Sequence, residues 1–464
     1  MPKHEMLKNN KTKFLTAATA GGLATVIAAL CFVFFLPPLK GKQTDVQLPL
    51  QTAANWSFAV IGDSLLNTEN QGYGLQYKEN TRKALQQIKQ KNIQLILATG
   101  GLTESGKAEE YELFLRLTAE AYADGPAPVI LAAQGQNELA STGAIGGRGF
   151  KSSMDTAPFT HSVINGLHFI TLSANKTTGQ PYSAGAIAWL ERQLKKAESD
   201  ASTMPIFVIA PLPASNTIVG TDGSETAGSN ALQKTLSKHH RAVLISGNSL
   251  RPQIHERMID QNTFTAIGAQ GLSRLALDER FFDPLRDSNT AIPVNLTKSP
   301  YFLIFTYSTT QLNVIRWNVS ANTAEDNTWR VRLPFDPEKP QYGLNTRQAQ
   351  NASPTFPDQQ IVFVTNIKND RGRLLDGVSF SAASDDAEVV AYEIETINWL
   401  NVSTAKQYAA DSFAGKKNSA KTVTLALDPT LPSGDYTIRV YAIDAFGAKS
   451  GSFLQATGTH KKLP

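Results

Sequence analysis

Strand-like apolar runs at residues 58–61, 93–98, 129–132, 167–172, 206–209 and 242–246 alternate with stretches of helical spacing around 77–89, 108–121 and 184–197. A strand covered on both faces reads as a continuous apolar run, and the helices between such strands supply the cover, so the alternation predicts an α/β fold. Further strands at 264–267, 301–307 and 312–317 follow with little helix between them, so this part is expected to end in paired antiparallel strands. Around 345–357 the chain becomes rich in Gln, Asn, Ser and Pro, the mark of a linker. Beyond it, 360–364, 389–394, 422–427 and 436–443 are β-patterned, with turn signals at Asp376-Gly377, Pro432-Ser433-Gly434 and Phe446-Gly447. Short alternating strands at this spacing predict an all-β sandwich of immunoglobulin-like type.

A different pattern opens the chain. Residues 14–36 carry no charged side chain and are flanked by lysines before and Pro37-Pro38 after. At 1.5 Å rise per residue the stretch is long enough for a hydrocarbon core of roughly 30 Å, which predicts one transmembrane helix. It exceeds the roughly 7–15 apolar residues of a secretory signal and lacks a small-x-small site, which favours an uncleaved anchor over a cleaved signal peptide. Lys3, Lys8, Lys11 and Lys13 place residues 1–13 in the cytoplasm and the globular part on the periplasmic or extracellular side. Residues 37–54 then read as a tether.

Composition narrows the function. Those four lysines against Glu5 account for +3 of the formal net charge of +4, leaving about +1 elsewhere, so no basic face argues for nucleic acid. The single cysteine, Cys31, lies inside the apolar segment, so the exported part has neither disulfide nor thiol chemistry.

The candidate chemistry sits on an ordered ladder of glycine motifs, each directly after a strand-like run: Gly62-Asp63-Ser64-Leu65, Gly100-Gly101-Leu102-Thr103-Glu104, Gly135-Gln136-Asn137-Glu138 and Gly247-Asn248-Ser249-Leu250. In order and spacing, residues 56–319 resemble the calcineurin-like metallophosphoesterases, including the Thr160–Leu172 stretch and the Trp189-Leu190-Glu191 helix. The resemblance implies a double β-sheet sandwich with a two-metal site at the carboxyl ends of the central strands. That chemistry needs carboxylate and imidazole ligands around two cations about 3.5–4 Å apart. Asp63 retains a ligand type, but Leu65, Gly101, Gln136, Asn137, Asn248 and Leu250 occupy the other ligand positions, and Ala210 or Pro211 replaces a lone histidine. No metal is therefore expected; a divalent pair belongs only to the alternative in which phosphoesterase activity survives. Glu104 and Glu138 lie near the expected cleft, where Glu138 is read as capping a helix and Glu104 as opening one.

The first rung also resembles the nucleophile block of GDSL-type serine esterases. There Ser64 is the nucleophile, and its own N–H with Gly101 and Asn137 forms an oxyanion hole. The family's Asp-x-x-His occurs nowhere in the chain, and His255 is the nearest stand-in by position. His168 alternates into a strand and reads as a packed structural residue. The expected protein is a membrane-anchored metallophosphoesterase-like pseudoenzyme that binds a protein or glycan. Its parts are a cytoplasmic tail (1–13), an anchor (14–36), a tether (37–54), a phosphoesterase-like domain (55–345), a linker (346–358) and an immunoglobulin-like sandwich (359–464).

Overall fold

The computed structural model of the chain describes residues 42–46 and 56–462, apart from 70, 141–144, 176–179, 201–203, 223–227, 277–280, 283–292, 295–299, 370–371 and 411–420. The expected anchor, the cytoplasmic tail and most of the tether lie outside the described residues. Among the described residues no helix is long and apolar enough to cross a membrane.

Two seven-stranded mixed sheets form the first domain. One runs β1(Lys42–Val46), β5(Thr160–Ile164), β6(Leu167–Thr171), β7(Ile206–Ala210), β8(Ala242–Ser246), β10(Thr265–Gly268), β9(Ile259–Gln261). The other runs β15(Thr323–Ala324), β14(Gln311–Asn318), β13(Tyr301–Tyr307), β2(Trp56–Ile61), β3(Leu95–Ala98), β4(Val129–Ala132), with β16(Trp329–Arg332) also paired to β14, and β11(Leu275–Ala276) and β12(Pro293–Val294) form a separate antiparallel pair. The first sheet is parallel through its centre, β6–β7–β8–β10, and the second along one side, β2–β3–β4. β13 and β14 are antiparallel, as the sequence predicts for this stretch.

The sheets face each other across an apolar core. Phe58, Val60, Leu95 and Leu97 of one meet Phe169, Phe207, Ile209, Val243 and Ile245 of the other. The Phe58 ring stacks on Phe305 at 4.9 Å and meets Phe207 edge-on at 5.1 Å, arrangements that aromatic quadrupoles favour. Helices α1(Gly72–Gln90) and α2(Ala108–Ala121) cover the outer face of the second sheet, and α5(Ala184–Glu198) and α6(Asn230–Leu236) that of the first. Two short helices, α3(Gln136–Ala140) and α4(Ile145–Met154), follow β4. In α5 the buried residues Ala186, Trp189, Leu190, Leu194 and Ala197 fall on one stripe, and Ser183 caps its start by accepting from the Ala186 N–H at 3.1 Å. The four layers, helix, sheet, sheet, helix, are the double-sheet arrangement expected from the sequence.

The C-terminal part is all-β. A three-stranded antiparallel sheet, β17(Ile361–Lys368), β18(Leu374–Ser381), β21(Thr422–Ala426), packs on a four-stranded one, β20(Ser403–Ala409), β19(Val389–Asn398), β22(Gly434–Asp444), β23(Leu454–His460). Val378 and Phe380 from the first and Tyr392, Ile394, Ile438 and Val440 from the second form the shared core.

Two boundaries differ from the sequence reading. The tether does not hold throughout, because Lys42–Val46 joins β5 as a parallel edge strand; its isolated Val46 gave no alternation to read. Nor is 346–358 a free linker. Helix α7(Leu344–Gln350) runs into it, and Arg347 donates to the carbonyls of Glu256 and Ile259, each at 2.6 Å, while its guanidinium lies over Phe446. Asn351 donates to Asp444 at 2.5 Å, and Phe282, which precedes the linker in sequence, packs edge-on against Tyr408 at 5.5 Å. The sandwich is therefore docked on the first domain by side chains as well as joined to it.

Candidate functional site

The four glycine rungs converge at the carboxyl ends of the parallel strands, where open α/β sheets place ligand sites. Gly62 follows β2, Gly100 follows Thr99 beyond β3, Gly135 lies three residues beyond β4, and Gly247 directly follows β8. Glycine is needed where loops from two sheets meet. A β-carbon on Gly62 would come within 2.7 Å of Thr99 Oγ1 and one on Gly247 within 2.6 Å of the same atom. Loop one lies along loop two through three backbone bonds: Asp63 N–H to Gly100 O at 3.1 Å, Leu65 N–H to Gly101 O at 2.8 Å, and Leu66 N–H to Leu102 O at 3.0 Å.

The first and last rungs are copies of one another in conformation. Asp63 and Leu65 have φ of 37° and 46°, and Asn248 and Leu250 have 51° and 53°. Left-handed backbone suits Asn and Asp but is a strained choice for leucine, so two leucines at equivalent places mark loops whose path is imposed by their surroundings. The serines between them, Ser64 and Ser249, are both buried, and neither Oγ has a hydrogen-bond partner among the described residues. This likeness was legible as Gly-Asp-Ser-Leu beside Gly-Asn-Ser-Leu.

Two carboxylates occupy the meeting point. Glu138 is fully buried and accepts from three backbone N–H groups: Gly101 at 3.1 Å, Gly135 at 2.7 Å and Thr103 at 3.0 Å, with the Thr103 hydroxyl at 3.4 Å. It thus links loop two to loop three. Asp63 links loop one to loop four by accepting from the Asn248 N–H at 2.9 Å. Burial pushes the Asp63 carboxyl up to about 7; the Asn248 N–H opposes the shift, the Glu138 charge adds to it and Arg274 opposes it. Burial raises Glu138 as well, against the backbone N–H bonds that favour its charged form.

The remaining predicted residues scatter. Leu65 is buried, Asn248, Leu250 and Asn137 are half-buried, and Gln136 is exposed. Glu104 is exposed and accepts from Asn67 at 2.7 Å; it does not open α2, where Glu110 takes that part by accepting from the Ser105 and Lys107 N–H groups. Glu138 reaches back to the Gly135 N–H in the manner of a cap, as expected, but its other bonds cross to loop two, which a sequence reading missed. The signal available was Gly135 three residues before Glu138. Pro211 packs against Gly100, 2.9 Å from where a β-carbon would stand.

The esterase arrangement is not formed. Ser64 has no imidazole partner, Gly101 N–H is spent on Glu138, and His255 caps the Glu256–Met258 turn by accepting from the Arg257 N–H. His168 is buried as expected, in a chain running Gln193, His161, His168, Asp200 at 3.0, 2.8 and 2.7 Å.

Nor do the residues present fit a two-metal centre. Among the described residues no three His, Cys, Asp or Glu side chains gather as a ligand set. The loops bring backbone N–H donors to their meeting point, and the two carboxylates there already accept from such donors, whereas a cation pair needs acceptors in their place.

No family model matches the chain, and no curated protein matches it. Among solved structures, a dimetal phosphatase from Danio rerio aligns over 60% of this chain and 98% of its own, at 11% identity and a TM-score of 0.42. GAP50, the anchor in the inner membrane complex of Plasmodium, aligns over 61% and 92%, at 15% identity and 0.42. Purple acid phosphatase PPD1 from yellow lupin seeds aligns over 60% and 54%, at 13% identity and 0.42. Values this low leave catalysis, ligand and partner to this chain's own residues.

Proposed function

We propose that this chain is a metallophosphoesterase-like pseudoenzyme, a binding or scaffold protein whose cleft is held closed by its own carboxylates. The observation that carries this reading is Glu138: its carboxylate ties loops two and three together through Gly101, Thr103 and Gly135. In a dimetal enzyme bound cations would join such loops; here backbone N–H donors and two acidic side chains do so. Under this reading no resident metal is bound, and Leu65 and Leu250 are packing residues. The chain is anchored by residues 14–36, with the tail cytoplasmic and the globular part periplasmic or extracellular, an assignment that rests on the apolar run and its lysine flank. The sandwich is assigned to the immunoglobulin-like class, supported by its split into β17–β18–β21 and β20–β19–β22–β23. Its partner is a protein or glycan rather than nucleic acid.

The test is metal content by mass spectrometry of the full-length chain in detergent, before and after incubation with Mn²⁺, Fe²⁺ and Zn²⁺, together with hydrolysis of a bis-aryl phosphate. The expected outcome is substoichiometric metal and no turnover. About two metals per chain with metal-dependent hydrolysis would overturn the proposal.

A further inference from the structure

One end of the β-sandwich carries apolar side chains that the rest of the molecule does not cover. At the β19–β20 turn Trp399 is 76% exposed, Leu400 59% and Val402 55%. This is no loose loop. Asn398 Oδ1 accepts from both the Leu400 and the Val402 N–H at 2.9 Å, the Asn398 N–H donates to Val402 O at 3.1 Å, and Asn401 takes φ of 59°. A turn tied down by its own backbone holds a tryptophan in water with little ordering left to lose on binding.

The neighbouring chain ends add a cluster of exposed cations. The strand register puts Asn398 beside Tyr436 and Gly434 beside His460, while His460 and the Lys461 N–H both reach Asp376, next to the β17–β18 turn. Lys368 and Arg373 of that turn and Lys461 and Lys462 of the tail are therefore at the same end as Trp399. All four are exposed, and none has an ion-pair partner among the described residues. Of the described acids at this end, Asp376 lies against His460 and Asp428 against Lys406, while Asp435 is exposed and accepts from the Thr459 hydroxyl, leaving four exposed cations against one unpaired carboxylate.

We propose that this end of the sandwich is a lipid-surface contact, in which Trp399 and Leu400 enter the interfacial layer of an anionic bilayer and Lys368, Arg373, Lys461 and Lys462 meet its headgroup phosphates. Tryptophan favours the water–hydrocarbon boundary, and clustered cations beside it select anionic lipid. Three side chains on a single turn are too few for a stable protein interface, which needs about 800 Å² per partner. This inference is independent of the state of the cleft.

The experiment uses the full-length chain in vesicles of phosphatidylcholine and phosphatidylglycerol whose acyl chains are brominated, a contact quencher of tryptophan. Wild type is compared with Trp399→Ser and with a Lys368→Gln, Arg373→Gln, Lys461→Gln, Lys462→Gln variant, all checked for equal thermal unfolding. The expected result is a quenched component of the emission that disappears in Trp399→Ser, and that weakens in the four-residue variant and at high salt. Equal quenching of wild type and Trp399→Ser would overturn the proposal. So would a concentration-dependent self-association in detergent that Trp399→Ser abolishes while lipid quenching is absent, an outcome that assigns the tip to protein contact.

Discussion

A β-carbon on Gly101 would come within 2.3 Å of Asp63 Oδ1, so the Asp63 carboxylate fills the space that any side chain at position 101 requires. Gly101 also has φ of 62°, where an L-residue is disfavoured by about 1–2 kcal/mol. Restoring an acidic ligand by Gly101→Asp should therefore damage the fold, adding strain to overlap for a loss of about 2–4 kcal/mol in urea unfolding. Gly101→Ala should lose nearly as much, since the first side-chain atom already collides. A Gly101→Asp protein as stable as wild type that also takes up Mn²⁺ would show that the cleft is open to metal.

Glu138 is expected to be intolerant of its amide. Its Oε2 accepts from Gly101 and Gly135 and its Oε1 from Thr103, so both oxygens must be acceptors. Glu138→Gln turns an NH₂ group toward at least one buried backbone N–H, and the unsatisfied pair should cost about 2–3 kcal/mol. Chemical denaturation at neutral pH measures it, and a loss below about 0.5 kcal/mol would mean that the carboxylate does not join the loops.

Asp63 makes a prediction about pH. Its carboxyl is raised from 3.8 to about 7 in the folded chain, so the folded state holds a proton that the unfolded state releases. The stabilisation from that proton is complete below about pH 4 and is lost as pH rises through 7, a change on the order of 4 kcal/mol. Asp63→Asn keeps an acceptor for the Asn248 N–H and cannot ionise. It should match wild type near pH 4 and exceed it at pH 8, read as the difference in unfolding free energy. A parallel pH course for the two proteins would show that Asp63 is ionised in the folded cleft.

How much of this was legible in sequence depends on what the residues face. Strands β7 and β8, buried on both sides, announced themselves as unbroken apolar runs, and α5 by its stripe from Ala186 to Ala197. Strands β18, β20 and β23 were not read, because Ser403–Ala409 and Leu454–His460 place mostly polar residues on a half-wet sheet. In the cleft the glycine positions were legible because each allows a close approach of backbone. The partners of Glu138 were not, since Gly101 and Thr103 contribute backbone N–H groups, and a backbone donor leaves no mark in residue identity.

The twin leucines should respond differently to relief of the same strain. Leu65 is buried and Leu250 half-buried, though both are left-handed. Asparagine accepts that conformation, so Leu250→Asn should change stability by less than about 1 kcal/mol, conformational relief offsetting lost packing. Leu65→Asn should lose about 2 kcal/mol or more, because a full apolar side chain leaves the core and an amide enters it. Equal losses at both positions would mean that burial, and not backbone strain, decides the tolerance of these loops.

His161 supplies a pH term of opposite sign to Asp63. Burial lowers its pKa, with His168 and Lys196 acting in the same direction and the Gln193 bond and Asp200 opposing. The folded chain then resists protonation of a ring that the unfolded chain protonates readily, so stability is lost as pH falls below about 6.5. His161→Gln keeps a polar group toward His168 and removes the titration. In an Asp63→Asn background, where Asp63 no longer titrates, adding His161→Gln should flatten the decline between pH 7 and pH 5 relative to Asp63→Asn alone. Persistence of that decline would place its source in groups other than His161.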